Sequence, residues 1–139
     1  MESLLVVALI GVLSALAYPK YNSYRDRVNA FQAVQDINAM SAIIGNRWND
    51  TRAYPASLDE IQMGGRLDPW GSPYVYYNVD SNGKGHARKD HALNPINTDF
   101  DLYSLGPDKK TKPQISQQDS LDDVIRASNG AFVGTAASF

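Results

Sequence analysis

Cysteine is absent from the chain, and histidine occurs only at positions 86 and 91. The first absence excludes disulfides, thiolate metal ligands and thiol nucleophiles together, and leaves the redox compartment open. His86 and His91 lie in a polar stretch and read as surface side chains rather than as a metal pair. Excess basic charge is missing too, with 13 Lys and Arg against 15 Asp and Glu for a formal net charge of −2. That balance supplies no bulk field for nucleic acid, so no nucleic-acid partner is expected. No G-x-S-x-G, H-E-x-x-H or P-loop pattern occurs, and nothing groups a nucleophile, a base and an oxyanion site, so no enzyme is expected. Gly83-Lys84-Gly85 lacks the third glycine of a dinucleotide loop. The run Asp80-Ser81-Asn82-Gly83-Lys84-Gly85 departs from an EF-hand at Lys84, a ligand position, and at His91, where the bidentate glutamate belongs.

What is present is an unusual concentration of apolar residues at one end. Overall the 139 residues are 43% hydrophobic and 20% charged, the composition of one folded domain plus an extension. Residues 4–17 form an apolar run interrupted only by Gly11 and Ser14, headed by Glu2 and closed by Tyr18, Pro19 and Lys20. Three readings fit parts of this pattern. A secretory signal matches the length and the small-x-small triplet Ala15-Leu16-Ala17, but its n-region is normally basic, and here it holds only Met1 and Glu2. As a simple anchor, residues 4–18 rise roughly 22 Å against a hydrocarbon core of roughly 30 Å. An unpaired carboxylate in that core costs about 2.5–3.5 kcal/mol. The third reading is an assembly helix drawn from a membrane, its Glu2 neutralised by a cation of a neighbouring subunit.

Beyond the run the pattern turns amphipathic. Ala30, Val34, Ile37, Ser41, Ile44 and Trp48 recur at three- and four-residue steps, with Phe31, Ala33 and Met40 widening the stripe and Asp36 placed on another face. One helix from the N-terminus to about Asn49 is predicted, roughly 73 Å long, its first half projecting and its second half forming the spine of the domain. Pro19 removes a backbone donor and clashes with the Ala15 carbonyl, which kinks an isolated helix. Tyr18, Tyr21 and Tyr24 suit either a membrane interface or packing between subunits. The triplet Asn49-Asp50-Thr51 matches a glycosylation sequon but reads better as a helix exit, with Tyr54-Pro55 as the stop. Ser57 and Glu60 have the spacing of a capping box. Residues 74–79 are a predicted strand, Asn82-Gly83 a type I′ turn and residues 86–97 a loop. Residues 99–105 form a second strand, with Phe100 and Leu102 on one side and Tyr103 on the outer face.

Glu2, Gly11 and Pro19, in register within an otherwise apolar helix, resemble the N-terminal signature of type IV pilins and type II secretion pseudopilins. The segments Asp68-Pro69-Trp70-Gly71-Ser72-Pro73-Tyr74 and Asp101-Leu102-Tyr103-Ser104-Leu105-Gly106-Pro107-Asp108 are similar to those of the major pseudopilin of type II secretion. The resemblance implies an α+β pilin-like fold: a long N-terminal helix packed on a small antiparallel sheet, with a loop-rich C-terminal region. It divides the chain into a membrane and filament-core helix, residues 1–25, and a globular domain, residues 26–139. It also implies that an N-methylated phenylalanine, two further residues and a short basic leader precede the equivalent of Met1. Lys20, Arg25 and Arg27 alone point their end of the helix to the cytoplasm; the family places it outside, oriented by that leader.

The function implied is structural, with Glu2 pairing with the terminal amine of an adjacent subunit in a helical homo-oligomer that drives protein export. A type IV pilus subunit for adhesion, motility or DNA uptake is the alternative, and a monomeric membrane-anchored binding module is a third. The implied partners are the inner membrane before assembly, a prepilin peptidase, an assembly platform and minor pseudopilins or pilins. The domain is expected in the periplasm, and the filament there or outside the cell. By the same resemblance, residues 105–123 correspond to a calcium loop, with Asp108, Asp122 and Asp123 offering carboxylates and Leu105 and Ser120 carbonyl oxygens. Lys109, Lys110 and Lys112 interrupt it with like charge. The competing reading is a solvated loop in which Asp119 or Ser120 caps a short helix over residues 121–127.

Overall fold

The computed structural model describes all of residues 1–139. Helix α1 (Glu2–Thr51) is continuous over 50 residues and passes through Pro19 without a break in helical assignment. It ends where Arg52 enters the left-handed region at φ 57° and its N–H returns to the Trp48 carbonyl, so the stop precedes Tyr54-Pro55. Thr51 reinforces the exit by donating its hydroxyl to the Arg47 carbonyl at 2.8 Å. No residue from 1 to 28 is buried or half-buried; burial begins at Asn29.

The outer half of α1 lies against a four-stranded antiparallel sheet in the order β1 (Val75–Asn78), β2 (Phe100–Ser104), β3 (Val124–Ala127), β4 (Phe132–Thr135). Ala33, Ile37, Met40 and Ile44 of the helix meet Tyr74, Phe100, Leu102 and Val124 in the principal core, with Leu58 closing one end. Period-two alternation sends the next residues to the opposite face. There Ile125 and Ala127 join Ile96, Ile115 and Ala136 in a second core, with Tyr103 packed against it. The sheet is therefore covered on both sides, by the helix on one and by loops on the other.

Phe100 and Leu102 share one side as predicted, and that side is the one packed on the helix. Tyr103 does occupy the other face, but that face is covered rather than outer. Phe31, expected in the stripe, is 66% exposed, whereas Asp36 is only 6% exposed within it. Residues 121–127 do not form a helix: Val124–Ala127 is strand β3, fully buried along its length. The tail is not simply loop, because residues 132–135 supply β4 as the edge of the sheet. Asn82-Gly83 does not make a type I′ hairpin, since β1 and β2 are separated by a long excursion. It closes instead the single helical turn α2 (Val79–Asn82), whose N-cap Asn78 accepts the Ser81 N–H at 2.9 Å. Ser57 stands at the N-cap of a 3-10 turn (Leu58–Ile61) but makes no capping hydrogen bond, and Glu60 pairs with Arg47 at 2.5 Å. Arg47 is fixed on the helix, and a charged partner there outcompetes the reciprocal cap.

Candidate assembly surface and loop site

The apolar run of α1 remains without a partner in the isolated chain. Leu4 is 75% exposed and Leu13 64%, and the side chains between them are similarly bare. The helix is long and apolar enough to cross a membrane, and none of its most apolar segment is buried. Apolar surface this continuous on a folded chain marks a site of association. Glu2 heads the run in the first helical turn, where the positive end of the helix dipole favours a carboxylate. Gly11 has nothing within 4 Å of the position a Cβ would take, so packing within the chain gives no reason for glycine there.

Trp70 marks the place where the helix leaves the domain, its indole N–H reaching Asp26 at 3.4 Å. The turn carrying it is organised by Asp68, whose Oδ1 accepts the Trp70 and Ser72 amides at 3.0 and 2.8 Å. Gly71 sits at φ 87°, which glycine adopts without strain. Asp68 Oδ2 accepts the Ser104 hydroxyl at 2.5 Å, and Ser104 in turn accepts the Gly106 amide at 3.1 Å. The two segments that resemble pseudopilins in sequence are thus joined directly by a buried carboxylate–hydroxyl contact.

The five residues predicted around a calcium ion divide between two places. Asp108 and Asp122 come together at the surface, where Asp122 Oδ2 accepts the Asp108 amide at 3.1 Å. Burial raises the Asp122 pKa and the Asp108 charge adds to the rise. A Cβ at Gly106, φ 67°, would run into the Asp122 carbonyl, so only glycine permits this approach. Leu105 lies half-buried just before that glycine. Asp123 and Ser120 turn inward. Asp123 is completely buried and accepts from Arg88 at 2.7 Å and from the Thr111 hydroxyl at 2.5 Å. The Ser120 carbonyl accepts the Asp123 amide at 3.2 Å, and the Ser120 hydroxyl accepts the Lys112 amide at 2.8 Å and donates to the Lys112 carbonyl at 3.1 Å. Burial pushes Asp123 up to about 6 against the pull of Thr111 and Arg88.

Calcium requires about six to eight oxygens around one point. No three acidic or histidine side chains approach closely enough to share an ion. Asp123 Oδ1 is buried without a hydrogen-bond partner, but the other oxygen of that carboxylate already faces a guanidinium. The side chains do not by themselves make a calcium shell: two carboxylates meet at the surface and the third is turned onto Arg88. The partner of Asp123 is not legible in the sequence: Arg88 lies in an ordinary polar loop, 35 residues before Asp123, and no spacing rule connects them.

A bare apolar half-helix continuous with the spine of a small antiparallel α+β domain defines a pilin-like fold. Sequence comparison narrows the class, and bears out the resemblance to the type II secretion pseudopilins. The chain is similar to type II secretion system core protein G of Pseudomonas aeruginosa PAO1, 29% identical over 130 residues, 78% of this chain and 81% of that protein. It is also similar to the proteins of the same name from Escherichia coli K12, 24% identical with 81% and 92% covered, and Klebsiella pneumoniae, 22% identical with 78% and 81% covered. No protein-family model and no solved structure matches the chain. These relatives are components of a secretion system, and their similarity supports a pseudopilin role.

Proposed function

We propose that this chain is a structural subunit of a type IV pilus-like helical filament, a type II secretion pseudopilin that polymerises through residues 1–25 to drive export. The observation that carries this reading is the contrast along one helix: α1 is buried from Ala33 to Ile44 against its own sheet and bare from Met1 to Val28. A bilayer covers that bare face before assembly, and the same face of neighbouring copies covers it afterwards. Glu2 supplies register, because a carboxylate inside an apolar bundle is stable only beside a cation, here the terminal amine of an adjacent subunit. In this reading residues 26–139 face the periplasm. A prepilin peptidase, an assembly platform and minor pseudopilins act on the chain, which itself performs no catalysis.

Glu2→Ala separates assembly from anchoring. In cells overproducing the filament, electron microscopy of sheared fractions is expected to show filaments with Glu2 and none with alanine. Both proteins are expected in the membrane fraction. Normal filaments from Glu2→Ala would remove the role assigned to that carboxylate.

A further inference from the structure

We propose that the Arg88 guanidinium takes the place of a bound divalent cation in this domain, locking the C-terminal loops by an internal ion pair so that they fold without calcium. Arg88 is 3% exposed and reaches β2, the loop between β2 and β3, and the residue that leads into β3. It donates to Asp123 at the start of β3 at 2.7 Å and to the Thr111 hydroxyl of the loop between β2 and β3. Its guanidinium lies 4.2 Å from the centre of the Tyr103 ring on β2. Its own backbone is pinned as well, the amide donating to Asp101 Oδ2 at 2.7 Å and the carbonyl accepting from Ile96 at 2.9 Å. Thr111 closes the triangle by donating to Asp123, so donors and acceptor are mutually oriented.

Charge and geometry both exclude a second cation at this point. Asp123 pairs directly with the guanidinium, and Asp101, the other buried carboxylate nearby, is occupied by the Arg88 amide and the Asn97 side chain; a divalent ion beside the pair would meet the charge of Arg88 where no water screens it. Asp108 and Asp122, the carboxylates left over, are engaged at the surface with the backbone amides of Lys110 and Asp108 at 2.8 and 3.1 Å. The loop also carries lysine, and Lys112 Nζ lies 4.0 Å from Asp119. A fixed positive charge has an advantage in folding, because it needs no free ion and its planar fork is already shaped for a carboxylate.

The test uses the full chain in detergent, melted by circular dichroism in excess EGTA and in millimolar calcium. The midpoint is expected to be the same in both. Arg88→Met, which keeps the length but removes the charge, is expected to melt lower by more than about 10 °C, because it strands the buried Asp123. Arg88→Lys restores charge but not the fork or the ring stacking, and is expected to fall between the two. Calcium-dependent stabilisation of the parent chain, or an Arg88→Met chain that melts like the parent, would overturn the assignment. Should Arg88→Met fail to fold, calorimetric titration of the parent with calcium still decides: no binding heat is expected, and stoichiometric binding refutes it. The readout is folding, so it stands apart from whether the chain forms filaments.

Discussion

Asp36 shows how one residue can contradict its helix and still strengthen the fold. It lies in the core-facing stripe, where the Tyr74 hydroxyl donates to it at 2.8 Å, Arg66 at 2.5 Å and Gln32 at 3.1 Å. Burial raises its pKa, but the three donors outweigh burial and hold the carboxyl below its ordinary value. Asp36→Ala strands the Tyr74 hydroxyl and is expected to cost about 2–3 kcal/mol in urea denaturation. Because the folded pKa is depressed, the stabilisation is complete above the ordinary carboxylate value of 3.8. It is lost as pH falls through the lower folded value. The stability gap between the parent and Asp36→Asn is therefore expected to narrow on acidification below about pH 4. A gap that widened there would refute the depressed pKa.

At the scale of elements, the C-terminal tail does more than its composition suggests. Strand β4 pairs with β3 from Val124↔Thr135 to Ala127↔Phe132. Val133 packs on the principal core and Phe132 on the second, so one short strand covers the sheet on both faces. Its approach is held by Arg126, which grips Asp99 through two bonds of 2.8 and 2.6 Å and lies 3.9 Å from the centre of the Phe100 ring. Deleting residues 128–139 uncovers Val124 and Ile125 together and leaves β3 as a bare apolar edge. The truncated chain is expected to lose its cooperative melt and to be cleaved rapidly by trypsin; a cooperative melt near the parent midpoint would show the strand to be dispensable. None of this was legible in residues 126–139, where short runs rich in alanine and glycine lack the alternation that announces a strand.

At the scale of the whole molecule, the two halves of α1 belong to different environments. No residue before Asn29 is buried, and the first side chain of the helix to hydrogen-bond to the domain is Asp26, which accepts from Trp70. Removing residues 1–25 therefore deletes no core contact. The remaining chain is expected to be soluble without detergent and to melt within about 2 °C of the full-length protein. A much larger drop would mean that the apolar run supports the domain, and would break the division at residue 25. Such a fragment would also separate folding from the assembly proposed for residues 1–25.

The local pattern of side chains was sufficient for the helix, its bare apolar half and strands β1 and β2. Each rests on interactions between residues a few positions apart, and the three- to four-residue and two-residue periods are written directly in the chain. The destinations of the buried polar and charged groups were not written there. Asp36 meets residues 30 and 38 positions away, Arg88 meets one 35 away, and Asn97 donates to a carbonyl 29 away. A charge leaves water only where packing has already brought its partner, so an acidic residue reads the same in sequence whether it will hold an ion or an arginine. Folding the loops over the second face of the sheet settled that choice for Asp123 in favour of Arg88.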